Sequence, residues 1–123
     1  MFARAASAYR QIDLTSAPKS EIVVRLFTRC LDDIAAARTA IAAKDVQAKA
    51  NAIDHASRIV VELRAALDHQ AAPELAANLD ALYRFVGDQL SMANLKLDAK
   101  PLDGATRVMT ELADAFATVR HQP

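Results

Sequence analysis

Between Leu75 and Asp98 the sequence LAANLDALYRFVGDQLSMANLKLD sets Leu75, Leu79, Leu82, Val86, Leu90, Ala93 and Leu97 at spacings of four and three. That stepping lays one continuous apolar stripe along an α-helix. No proline interrupts it. Gly87 falls off the stripe, where a glycine costs a helix about 1 kcal/mol relative to alanine. At about 100° per residue, Ala76, Tyr83 and Asn94 lie on one flank, and Asn78, Phe85 and Met92 on the other. A helix that is apolar on both shoulders has to be covered by several neighbours or by a partner. The rest of the chain is therefore expected to surround this stretch.

The remaining segments read as further helices. Thr15-Ser16-Ala17-Pro18 marks a helix start, since proline is preorganised for the first turn. Val23, Phe27, Cys30, Ile34, Ala37 and Ile41 then step four and three, with Glu21 and Arg25 as an exposed i,i+4 pair. Asp45 stands where an N-cap is wanted. Behind it Val46, Ile53, Ala56, Val60, Leu63 and Leu67 form a stripe, which Ala52, Ile59 and Ala66 widen into a shoulder. Asp54 and Arg58 make a second i,i+4 pair. Pro73 opens the helix described first. After Ala99-Lys100-Pro101, Leu102, Ala105, Met109, Leu112, Phe116 and Val119 carry a fourth, with Gly104 in its first turn. Short connections between long helices make antiparallel neighbours the default. The expected fold is all-α: an antiparallel four-helix bundle over residues 18–120, with residues 1–17 as an N-terminal arm docked through Tyr9, Ile12 and Leu14.

Composition narrows the function classes. Fifteen basic and fifteen acidic residues give zero formal net charge, which argues against a nucleic-acid partner. One cysteine cannot form an internal disulfide, so a reducing compartment fits. No apolar run approaches the roughly 20 residues of a transmembrane helix. The acid-free opening residues lack the apolar stretch of a signal peptide.

Chemistry is scarce. The Glu-x-x-His pairs of di-metal bundles are missing, and His55, His69 and His121 have no ligand spacing to each other or to Cys30. No metal or cofactor is expected. Cys30 lies on a core stripe, where a buried thiol is the ordinary reading. Asp13 and the Asp32-Asp33 pair have no partners that spacing can assign. One catalytic pattern exists: Arg64 and His69, with four residues between them, resemble the Arg-x4-His pair of small helical HEPN-type ribonucleases. Ala65 stands where a polar residue usually follows that Arg.

Read end to end, the chain resembles the flagellin export chaperones of the FliS type. Ala8-Tyr9 with Thr15-Ser16-Ala17-Pro18 is similar to that family's N-terminal Tyr and helix start. Arg25-Leu26-Phe27, Lys44-Asp45-Val46 with Lys49, Ile53-Asp54-His55-Ala56, Ile59-Val60 with Glu62-Leu63, and Leu67-Asp68 follow in family order. So do Glu74 to Leu79, Leu82-Tyr83, Ala93-Asn94 and Asp98. Thr28-Arg29 replaces the family's Asp-Gly, Ala72-Pro73 a Gly pair, and Phe116 the Trp of the last helix, while Ala17 stands where a Ser would cap the first. These are the marks of a divergent member. The resemblance implies a cytoplasmic, non-enzymatic chaperone for the disordered C-terminal segment of flagellin, which meets the membrane only at the export gate. On that reading the cargo lies on Ile59, Leu63, Tyr83, Phe85 and Met92, with Asn94 as a polar contact, and Tyr9 docks to the gate. A ribonuclease using Arg64 and His69 is the alternative, as is a structural bundle whose apolar flanks face a second copy of the chain.

Overall fold

A computed structural model describes residues 17–120, with side chains from residue 21 to residue 117. It contains four helices: α1 (Ala17–Ala42), α2 (Val46–Ala65), α3 (Pro73–Lys96) and α4 (Pro101–Arg120). Each runs antiparallel to the next. α1 packs on α2 and α4, and α3 packs on the same two, so the helices close a square. The diagonal pairs make no close backbone approach among the described residues. The four-helix bundle is as expected, but α3 is not surrounded. It has two neighbours like every other helix, and its outer side is open. Tyr9 and the rest of residues 1–16 lie outside the described residues.

Local chemistry sets the boundaries. α1 ends on Lys44 at φ 59°, in the left-handed region. There the Asp45 N–H reaches the Ala40 carbonyl at 2.9 Å and the Lys44 N–H reaches Ile41 at 3.1 Å. This is a Schellman closure made with a lysine rather than a glycine. Asp45 then turns from end to beginning, its side chain accepting from the Ala48 N–H at 3.1 Å to cap α2. Asp68 ties the next connection, accepting from the Gln70 and Ala71 N–H groups at 3.0 Å each. Pro73 and Pro101 open α3 and α4.

The core stripes differ from the expected ones in four places. On α3 the buried row is Ala76, Leu79, Tyr83, Val86, Leu90 and Ala93, while Leu75 and Leu82 are half-buried at its edge. The helix is rotated to take the Tyr83 ring inside. Leu97 is not on the stripe: at φ 52° it forms the left-handed C-cap and is exposed. On α1, Ala40 is buried in place of Ile41. On α2, Val46 is exposed and Lys49 is buried instead, its ammonium donating to the Asn94 carbonyl at 3.1 Å. The long aliphatic stem covers apolar surface while the charge finds the carbonyl end of α3.

The α1–α2 seam explains where the shoulder of α2 went. His55 Nδ1 lies 3.5 Å from Asp33 Oδ2 on α1. Ile59 follows His55 by one turn on that flank and is 8% exposed. Its shoulder is core against α1, not outer surface. Cys30 is buried in the same seam, with Sγ 3.9 Å from the Ala56 carbonyl. Burial, with the Asp33 carboxylate adding to it, pushes the Cys30 thiol up to about 12 from 9.0. A neutral thiol in the fold that ionises more easily once unfolded contributes stability fully below about pH 9. That stability is lost as the pH climbs toward 12. Urea midpoints followed from about pH 8 to about pH 10.5 should therefore fall more steeply for the wild type than for Cys30→Ala. Parallel curves would mean that the thiol titrates as in an open chain.

Candidate functional site

The antiparallel α2–α3 seam is fastened near both ends. At one, Lys49 of α2 reaches the Asn94 carbonyl of α3. At the other, Arg64 Nε donates to Asp80 Oδ1 at 2.9 Å. A pair as exposed as this one contributes at most about 1 kcal/mol, so it sets register more than stability. In the register that the two ties define, Ser57 comes opposite Gly87. Two of the smallest side chains face each other, and between them the seam stays open.

The result is a groove of about 300 Å³ lined by Ser57, Val60, Val61 and Arg64 from α2 and by Tyr83, Arg84, Gly87, Asp88 and Ser91 from α3. Val61 is 61% exposed. Arg84 and Asp88 stand one turn apart and form no ion pair among the described residues. The groove is thus mixed: an apolar wall, a bare backbone, and one charge of each sign. It has no nucleophile–base pair. Among the described residues no three His, Cys, Asp or Glu side chains gather as metal ligands, and no helix is long and apolar enough to cross a membrane. The Arg64 guanidinium is engaged by Asp80, and His69 is exposed in the turn after α2. A ribonuclease would need that Arg free beside the His.

The six side chains expected to meet cargo do not form one surface. Ile59, Leu63 and Tyr83 are core, each at most 8% exposed, and of the three Tyr83 also lines the groove. Phe85 and Met92 are exposed on α3, each at 39%, but on the side toward α4. A Cβ on Gly104 of α4 would lie 3.0 Å from the Phe85 ring. Asn94 is exposed at the far end, where its carbonyl takes the Lys49 ammonium. Leu95 and Leu97 extend the apolar exposure at that end. The groove residues Ser57, Val61, Arg84, Asp88 and Ser91 were missed. Their one signal was Gly87, a glycine inside a helix and off its stripe.

The family model described as flagellar protein FliS matches residues 2–123. The chain is 30% identical over 117 residues to a flagellar secretion chaperone FliS of Salmonella typhimurium, covering 91% of this chain and 87% of that one. It is 31% identical over 119 residues to the Escherichia coli protein of the same name, covering 93% and 88%. To the flagellar secretion chaperone FliSB of Pseudomonas aeruginosa it is 29% identical over 122 residues, covering 96% and 97%.

Proposed function

The chain belongs to the FliS family of flagellar proteins, and on that premise we propose a cytoplasmic chaperone that binds the disordered C-terminal segment of flagellin. It keeps that segment from polymerising early and hands it to the export gate. A chaperone role in flagellar secretion goes with the family. The observation that carries the finer reading is where apolar surface is left uncovered. Seven large apolar side chains are exposed among the described residues, and Phe85, Met92, Leu95 and Leu97 belong to α3 or its cap. α3 and its seams are thus the surface on which a partner gains most.

A disordered segment that folds as helix on such a face gains apolar burial and loses ordering entropy together. That balance gives a complex specific enough to shield the client and weak enough to release it. Phe85 and Met92 form the α4-side contact, and Asn94 offers an amide that both donates and accepts. Tyr9 contacts the gate.

Calorimetry of the full chain with a peptide of flagellin's C-terminal region should show one-to-one binding. Far-UV dichroism should show helix gained on mixing, and flagellin polymerisation should slow. Tyr9→Ala should keep that affinity while export falls. No heat and no change in polymerisation would overturn the reading. A second copy of the chain seated on α3 would instead appear as a dimer that the peptide fails to dissociate.

A further inference from the structure

Gly87 has no reason to be glycine that lies within the chain itself. In a helix interior glycine is the poorest residue after proline. No glycine here has positive φ, so the backbone does not require it. Nor does packing, since a Cβ added at Gly87 would meet nothing within 4 Å. Gly104 shows the contrast: there the Phe85 ring already occupies the space beside the backbone. The space over Gly87 opens into the α2–α3 groove, which Ser57, Val61, Arg84 and Asp88 also line.

We infer that Gly87 is the close-approach point for the chaperone's cargo and sets which part of it can bind. The occupant is a helical stretch of the cargo laid along the α2–α3 seam. It presents alanine, glycine or serine to Gly87 and apolar side chains to Val61. One acidic side chain reaches Arg84 and one basic side chain reaches Asp88. Helix is the form required, because both walls are helices whose interior backbone groups are already paired. A guest in the seam must satisfy its own N–H and C=O groups. The two opposite charges one turn apart fix its direction, since reversing the guest would set like charges together. This inference rests on the chaperone reading above.

The test uses the full-length chain and a flagellin C-terminal peptide. Gly87→Ala should raise the melting temperature by about 3–6 °C, as helix propensity alone predicts, yet weaken peptide binding at least about tenfold. Gly87→Leu should still fold, since its side chain enters open space, and should bind more weakly still. Arg84→Glu should weaken the wild-type peptide and be rescued by a peptide whose facing acid is changed to lysine. Stability and affinity moving in opposite directions is the expected signature. If the wild type binds and both glycine variants bind within about twofold of it, the inference fails and the chaperone reading stands. Wild type that does not bind the peptide overturns both. A destabilised Gly87→Ala overturns the claim that the chain itself has no need of that glycine.

Discussion

Phe116→Ala should remove about 3–5 kcal/mol of unfolding free energy, measured by urea denaturation. Phe116 is 1% exposed, and its ring meets Phe27 of α1 at a centroid separation of 5.1 Å and a 50° tilt. One end of the α1–α4 seam is thus held by an aromatic pair in the tilted geometry that rings prefer. A domain of this size has about 5–15 kcal/mol in all, so the variant loses between about a fifth of its stability and nearly all of it. The double variant with Phe27→Ala should fall short of additivity by about 0.5–1.5 kcal/mol, the coupling of the two rings. A loss under about 1 kcal/mol would mean that the last turns of α4 do not dock.

Ile59→Glu and Met92→Glu should part company completely. Ile59 is core between α2 and α1, where an unpaired carboxylate costs several kcal/mol. That variant should lose its cooperative melt. Met92 is 39% exposed on the side of α3 toward α4, where the new carboxylate reaches water. It should stay within about 1 kcal/mol of wild type in stability and still lose affinity for the flagellin peptide, because binding would bury the charge. An Ile59→Glu protein that melts cooperatively would show that the α1-facing flank is looser than its burial implies. A Met92→Glu protein with wild-type affinity would move the cargo off this side of α3.

The helix starts were legible because they depend on a few neighbouring atoms. Asp45 caps, Pro73 and Pro101 open, and each does so whatever packs nearby. Rotation about the helix axis was not legible to one residue. On α3 the row through Leu75 and Leu82 and the row through Ala76 and Tyr83 are both apolar, and only the positions of α2 and α4 choose between them. The same uncertainty sent Ile59 outward on paper and inward in the fold. Lys49 was passed over for another reason. Pattern reading counts a lysine as polar, whereas its stem is apolar and the Asn94 carbonyl that receives its charge is 45 residues away in sequence. The groove was hidden for a reason between helices: Ser57 and Gly87 become a gap only when the register sets them opposite each other.

The two ties across the α2–α3 seam also act as a ruler. From Lys49 to Arg64 is fifteen residues of α2, and from Asp80 to Asn94 is fourteen of α3. At 1.5 Å of rise per residue the ties stand about 21–22 Å apart, and the groove, from Ser57 to Arg64 and from Tyr83 to Ser91, takes about 10–12 Å of that. A guest of about two helical turns fills the groove, and one of about four reaches from tie to tie. A longer guest must climb over the Lys49 or Arg64 side chain and leave the seam there. Peptides trimmed from either end should therefore keep their affinity until they no longer fill the groove, and then lose it over a residue or two.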